Sequence, residues 1–383
     1  MKSERSAAIA LMAAAIIGLI VANSPLGPGL FAAKDFDLSI DFLNLNLSLE
    51  MLVSDLFLAV FFLVAGLELK YELTSGMLSK ASTAFVPVLA GIGGIAVPAS
   101  VYLVFNSSGD YVNGWPIPTA TDIAFALGVL AIFGRGLPRS ARIFLLALAI
   151  FDDLVAISII AIFFTEDAQP FWLLATAAIA AAHIYAERKN KLPINLLRTV
   201  TFILLWYTVF QSGIHATVAG VILGLIIPSK KTHALTKKLQ PWTSTVVLPL
   251  FAFFSVGILL PKFEGDTSSV FLGIMIALPL GKMVGITAFG VLGNAIARKE
   301  AKLDLEPLDF MAISLLAGVG FTVSLLMTKL AFKGNEELIS EGTLGVVLGS
   351  LIAMTLGAAL SQYRGRYHMR KRRLEKQAQQ DKS

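Results

Sequence analysis

Apolar runs alternate with short polar, mostly basic segments along the whole chain. The runs cover residues 7–22, 51–68, 84–105, 116–133, 140–164, 171–187, 194–209, 212–227, 243–261, 270–292, 310–330 and 342–362. Each has roughly 16 to 24 residues, about long enough to cross a hydrocarbon core of ~30 Å as a helix. The pattern predicts an all-α integral membrane protein of twelve spans. Its least distinct boundary parts 194–209 from 212–227, where only Phe210 and Gln211 intervene. One polar segment has another period. In Phe36-Asp37-Leu38-Ser39-Ile40 and Leu43-Asn44-Leu45-Asn46-Leu47-Ser48-Leu49 apolar and polar residues alternate, which predicts a short β-hairpin over 36–49 with one apolar face. An exposed two-stranded ribbon is marginal alone, so a second protomer is its natural cover; the alternative is an irregular loop on the lipid headgroups.

Composition agrees: 56% of residues are hydrophobic and 15% charged, where soluble domains have about a quarter charged. No polar segment is long enough for a soluble domain, which leaves one transmembrane domain over 1–383. Lys and Arg concentrate in cytoplasmic loops, and this tests the span count independently. With the N-terminus inside, only Lys34, Lys262, Lys329 and Lys333 of the 31 Lys and Arg fall on the outer side, and only Lys282 lies near the middle of a span. Both termini are then cytoplasmic. The basic tail over 363–383, from Arg364 to Lys382, reads as a stop-transfer segment touching anionic lipid. The pI of 9.3 follows from topology, with no call for nucleic acid. Lys2 and Arg5 precede the first run, but no small-x-small cleavage pattern follows Val21, so that run reads as a retained span. The lack of cysteine excludes disulfides and thiolate metal sites.

Against this background, four ionisable residues stand near the middle of spans: Asp122, Asp152, Asp153 and Lys282. A charge at a bilayer centre costs on the order of 3 kcal/mol even on the lenient scale, so four cost about 12 kcal/mol, comparable with the stability of a domain. Three acids and one base at that depth suggest a small cation exchanged for protons. Adjacent helical residues point about 100° apart, so Asp152 and Asp153 cannot both face one neighbour. One would meet a hydrated cavity and bind the cation, while the other pairs with Lys282. A structural ion-pair cluster is the plainer alternative, yet one lysine does not neutralise three acids.

Two spans carry breaks, in Trp115-Pro116-Ile117-Pro118-Thr119-Ala120-Thr121-Asp122 and in Ala317-Gly318-Val319-Gly320-Phe321-Thr322. Backbone unwinds at membrane depth only where protein or a water-filled cavity satisfies it. Breaks at corresponding positions of two halves point to inverted-topology repeats, here spans 3–5 matching spans 10–12. For Gly318 and Gly320 the alternative is helix packing through small residues. Lesser ionisable residues carry less. His215 reads as a hydrogen-bonded packing residue before a proton carrier. His183 is assigned nothing, and Asp55 lines an exit path or meets interfacial water. Glu68, Lys70 and Glu72 read as a solvated rim that could gather cations. A sodium-coupled solute symporter would need a roomier polar pocket. An intramembrane aspartyl protease would need two acids sharing a water, which Lys282 beside them opposes. The chain is read as a transporter, not an enzyme.

The runs Ala120-Thr121-Asp122-Ile123-Ala124-Phe125-Ala126-Leu127-Gly128, Phe151-Asp152-Asp153-Leu154, Ser212-Gly213-Ile214-His215-Ala216-Thr217 and Gly318-Val319-Gly320-Phe321-Thr322 resemble the bacterial NhaA family of sodium/proton antiporters. So do Gly66-Leu67-Glu68-Leu69-Lys70 and the position of Lys282, in order from residue 7 to residue 362. That family itself exemplifies inverted repeats with broken helices. The resemblance implies twelve spans with crossed, discontinuous spans 4 and 11. It implies electrogenic export of Na⁺ or Li⁺ against entering H⁺ across the bacterial inner membrane, for pH and sodium homeostasis, with no resident cofactor. Asp153 would be the principal cation ligand and Asp152 its neighbour, paired with Lys282 in a proton-sensitive contact. Thr121 would lie beside the site, Asp122 and Lys282 would offset half-helix dipoles, and residues 36–49 would form a homodimer. One departure stands out. Where members can carry Glu and His on entering span 9, this chain has Thr236, Lys237, Lys238 and Gln240, so pH sensing does not carry over.

Overall fold

The computed structural model describes residues 2–43, 45–165, 168–189, 193–260 and 268–380; Asn44, Lys262 and Lys382 lie outside the described residues. Apolar runs become helices because a helix satisfies its own backbone without water. In chain order these are α1 (Lys2–Ala22), α2 (Gly27–Lys34), α3 (Leu49–Thr74), α4 (Ala81–Phe105), α5 (Ile123–Phe133), α6 (Arg139–Phe163) and α7 (Pro170–Lys189). There follow α8 (Ile194–Gln211), α9 (Val218–Ile226), α10 (Ser229–Val256), α11 (Ser269–Ile296), α12 (Pro307–Ala317), α13 (Phe321–Ala331) and α14 (Glu336–Gln380). Among the described residues seven helices are long and apolar enough to cross a membrane, or up to ten spans if each bent pair counts as one. The bent pairs are Ser6–Ala22 with α2 at 110°, Gly109–Thr119 with α5 at 45°, and α12 with α13 at 52°.

The chain forms two compact units, one of Met1–Ala8, Met77–Asp153 and Pro261–Ser383, the other of Ile9–Gly76 and Leu154–Leu260. In the first unit, small residues let α4 and α11 approach closely. A Cβ at Gly281 would stand 2.6 Å from Pro98 Cα, and one at Gly285 would run into the Gly93 carbonyl. Phe144 of α6 meets Phe310 of α12 edge-on, centroids 5.1 Å apart, in a core with Leu148, Ile286 and Leu316. In the second unit Leu63 and Leu67 of α3 share a core with Leu205 and Trp206 of α8 and Leu223 of α9.

Several elements depart from the expectations drawn from sequence. Over 36–49 the described residues make two isolated antiparallel bridges, Asp37 to Ser48 and Ile40 to Leu45, instead of strands. Leu38 N–H donates to the Leu47 carbonyl at 2.8 Å, and a 3-10 turn at Asp41–Leu43 takes up residues that a ladder would need. The predicted span 212–227 is realised as the nine residues of α9, about 14 Å at 1.5 Å per residue and well short of a ~30 Å core. Residues 212–217 before it are not helical, and Gly213 takes φ +80°, which a side chain would strain. The polar stretch before the predicted span 9 is helical as well. Leu235 and Leu239, one turn apart in α10, pack on the second core and give that stretch an apolar face.

The basic tail is more than a lipid-touching end. α14 runs unbroken to Gln380, and Arg364 within it is buried. Its Nε donates to Asp309 Oδ1 at 2.8 Å and its Nη2 to Glu306 Oε2 at 2.6 Å. His368 Nε2 lies 3.0 Å from Asp309, and Lys371 Nζ donates to Glu306 Oε1 at 3.1 Å. Asp309 Oδ2 also accepts the Glu306 N–H at 2.9 Å, closing the N-terminus of α12. Arg364→Leu strands a buried carboxylate, a change worth roughly 3–5 kcal/mol, and is expected to lower the thermal unfolding temperature sharply. Lys371→Leu removes only a half-exposed pair and should have little effect. The hydrogen bond from Arg364 holds the Glu306 carboxyl below its ordinary range. Its stabilisation is therefore complete above the unfolded carboxylate pKa and is lost as pH falls through the lowered value. Acid should consequently depress the unfolding temperature of the wild type more than that of Glu306→Gln, by scanning calorimetry.

Candidate functional site

The two helix breaks meet inside the first unit, and each residue there has a local reason for its place. Pro116 and Pro118 lack N–H groups, so no regular helix forms through them. Asp122 is extended (φ −89°, ψ 101°) and caps α5, its Oδ1 accepting the Phe125 N–H at 3.2 Å. At the other break α12 stops at Ala317, and Gly318-Val319-Gly320 leads into α13. The Val319 carbonyl accepts the Asp122 N–H at 2.6 Å. Asp122 Oδ2 accepts the Thr322 N–H at 3.3 Å and its hydroxyl at 2.8 Å. One buried carboxylate thus receives N–H groups from the first turns of both α5 and α13, where helix dipoles favour negative charge. Ser324 Oγ adds a bond of 2.6 Å to the Ile117 carbonyl.

Lys282 follows a π-helical turn, Ala277–Gly281, of the wide kind frequent at functional sites. Fully buried, its Nζ donates to Asp152 Oδ2 at 2.7 Å and to Thr121 Oγ1 at 3.0 Å. Thr121 Oγ1 lies 2.7 Å from Asp152 Oδ2 and 2.8 Å from the Ala317 carbonyl. A hydroxyl has one proton, so it divides its donation between those two acceptors. Asp152 Oδ1 is buried with no hydrogen-bond partner among the described residues. Asp153, one position along α6, is also buried. Of the two adjacent acids, Asp152 is thus the one hydrogen-bonded to Lys282. Among the described residues no group of three His, Asp or Glu side chains is placed to hold a metal ion. A cation here would draw on carboxylate, hydroxyl and carbonyl oxygens, the donors that suit hard ions.

The remaining sequence-derived residues belong to the second unit. Asp55 lies in the π-helical turn Leu52–Phe57, its Oδ1 3.5 Å from His215 Nε2. His215 Nδ1 is 2.9 Å from the Thr217 hydroxyl. Glu68 is half-buried, with Gln240 Nε2 3.5 Å from its Oε1. Lys70 Nζ donates to the Leu225 carbonyl at 2.5 Å, and Glu72 is buried. The rim expected to be solvated is therefore largely covered, because α9 and α10 pack over that end of α3. His183, given no role from sequence, belongs to a buried cluster. Its Nε2 lies 3.0 Å from Glu187 Oε2 and its Nδ1 2.9 Å from the Thr201 hydroxyl, while Glu187 Oε1 accepts from Arg198 at 2.5 Å and Lys231 at 3.3 Å. The spacing of His183 and Glu187, one helical turn apart, was the available signal. Arg198 and Lys231 arrive from other helices, where spacing is silent.

Residues 1–360 match the model of a family described as Na+/H+ antiporter 1. The chain is 45% identical over 378 residues to the Na(+)/H(+) antiporter NhaA 2 of Clavibacter michiganensis subsp. michiganensis, covering 95% of this chain and 91% of that protein. It is 39% identical over 396 residues to the Na(+)/H(+) antiporter NhaA of Renibacterium salmoninarum, covering 98% and 90%. The protein of the same name from Photorhabdus laumondii is 39% identical over 372 residues, covering 94% and 96%.

Lys282→Ala leaves Asp152 buried without its cation and is expected to destabilise the fold by roughly 3–5 kcal/mol, read as a lower unfolding temperature in detergent. Adding Asp152→Leu to that variant should recover part of the loss, since the two residues act as a pair. An additive double variant would show that they do not.

Proposed function

The chain belongs to the Na+/H+ antiporter 1 family and is a multi-pass membrane protein that exchanges sodium for protons, and we propose that the two ions take turns on Asp152 and Asp153. One observation carries the reading. Asp152 is held through Oδ2 by Lys282 and Thr121, while its Oδ1 is buried and unbonded among the described residues. Leaving a buried acceptor unsatisfied costs about 1–3 kcal/mol, a penalty that a proton or a cation removes. Other buried carboxylates differ: both oxygens of Asp122, Glu187 and Asp309 are engaged.

In this reading Asp153 is the principal ligand for Na⁺ or Li⁺, and Asp152 alternates between its pair with Lys282 and the cargo. Thr121 positions Asp152, while Asp122 and Lys282 offset the dipoles of the half-helices at the breaks. Spans 4 and 11 of twelve cross within inverted repeats, both termini are cytoplasmic, and residues 36–49 join two protomers in the bacterial inner membrane. Asp55, His215 and Glu68 serve the ion pathway or its pH response, supported by the approach of His215 to Asp55 and of Gln240 to Glu68. No resident cofactor takes part. Two carboxylates releasing two protons for each sodium make the exchange electrogenic, and protons enter as cytoplasmic sodium leaves.

Proteoliposomes with an imposed pH gradient test the site. Na⁺ and Li⁺ should dissipate the gradient and K⁺ should not; equal responses to all three would defeat selective exchange. Asp153→Asn should abolish exchange and Asp152→Asn should reduce it below about a tenth of wild type, both proteins remaining folded in the membrane. Clamping the potential with potassium and valinomycin should alter the rate, because each net charge is worth about 2.3 kcal/mol per 100 mV. A rate blind to potential would mean one proton per sodium. Competition between the ions has its own signature. Below the carboxylate pKa values, each unit fall in pH should raise the apparent KM for sodium about tenfold for one competing proton and up to about a hundredfold for two. The saturated rate should hardly move. A falling saturated rate at constant KM would place control at a separate gate near Glu68.

A further inference from the structure

The turn between α5 and α6, within the first unit, borders a half-open cavity of about 240 Å³ lined by Leu127, Leu130 and Leu137 together with Arg135, Arg139 and Arg142. All three arginines are exposed, and no acidic residue lines the cavity among the described residues. Arg135 and Arg139 make no side-chain hydrogen bond or ion pair among the described residues. The turn itself is tightly built. Gly136 takes φ +105°, and a Cβ there would collide with the Gly365 carbonyl of α14, so the turn is seated against that helix. Phe133 and Ile143, which bracket the turn in sequence, are exposed apolar side chains.

A turn joining two apolar helices stands at a membrane–water boundary whichever way the chain is inserted. Guanidinium groups bind phosphate through paired, charge-assisted hydrogen bonds. Three of them around a leucine floor make an amphiphilic pocket, whose charge answers a phosphodiester and whose floor answers an acyl chain. We propose that this cavity binds an anionic phospholipid, the headgroup phosphate on Arg135, Arg139 and Arg142 and the first acyl carbons on Leu127, Leu130 and Leu137. Free phosphate would use the arginines and leave the leucines without a role. The site lies on the connection between the helix capped by Asp122 and the helix that bears Asp152 and Asp153.

The full-length protein, purified in detergent and stripped of lipid, is titrated separately with short-chain phosphatidylglycerol, short-chain phosphatidylcholine and inorganic phosphate, with stabilisation against heating as the readout. Phosphatidylglycerol should bind saturably and at least about tenfold more tightly than the other two. The double variant Arg135→Gln/Arg139→Gln should lose about tenfold in that affinity, whereas Lys237→Gln/Lys238→Gln, exposed residues of α10 that do not line the cavity, should not. Equal binding of phosphatidylcholine would reduce the pocket to an apolar crevice, and equal binding of inorganic phosphate would make it a simple anion site; either result overturns the proposal. So does unchanged phosphatidylglycerol affinity in the cavity variant. If that variant does not fold, Leu137→Trp, which fills the cavity and leaves every charge in place, decides: loss of binding supports the lipid site and retained binding rejects it.

Discussion

The ion pair between Lys282 and Asp152 is fully withdrawn from solvent, and the architecture of the first unit can be understood as the conditions that make it tolerable. Desolvating two charges costs several kcal/mol per ion, which mutual attraction offsets only when geometry is good and the remaining polar atoms are bonded. Lys282 finds a second acceptor in Thr121, and Thr121 is anchored on the Ala317 carbonyl at the broken end of α12. The ammonium reaches that point because α11 lies against α4 through Gly281 and Gly285, where any side chain would hold the helices apart. Close packing, the helix break and the ion pair therefore depend on one another.

Asp122 solves the complementary problem. A helix broken at membrane depth exposes backbone N–H groups to a medium that cannot solvate them. The Asp122 carboxylate accepts from the first turn of α5 and the first turn of α13, and its own N–H occupies the Val319 carbonyl. The two breaks are thus mutually satisfying, each supplying what the other lacks. A carboxylate so completely engaged is suited to holding a scaffold. Asp152, with one oxygen unbonded among the described residues, fits the exchange proposed for it.

Charge clusters elsewhere follow the same contrast. Arg364, Asp309, Glu306 and His368 tie α14 to the start of α12, and the oxygens of Asp309 are all spoken for. Glu187 is likewise saturated by His183, Arg198 and Lys231. Such clusters fasten helix ends, where long basic side chains carry their charge toward a polar partner while their stems stay in apolar surroundings.

Much of the candidate site was legible in the chain alone. Charges at the centre of apolar runs are so costly that Asp122, Asp152, Asp153 and Lys282 announced themselves, and the proline pair and the Gly-Val-Gly sequence marked the two breaks. The class of the molecule followed from run length, and the family motifs followed from local order along the chain. The pairing of Asp152 with Lys282 and the place of Thr121 beside it were implied by the family resemblance; residue physics alone left open the relations between residues distant in sequence. Whether Asp152 or Asp153 meets Lys282 depends on the rotation of α6 against α11, and 100° per residue separates the two answers without favouring either. The shortening of α9, the helical start of α10 and the burial of Arg364 likewise depend on neighbours that cover a face, which no window along the chain contains. Periodicity and desolvation cost are local quantities, so the sequence determined which residues must matter; which of them touch is set by packing between helices, and only the tertiary structure decided it.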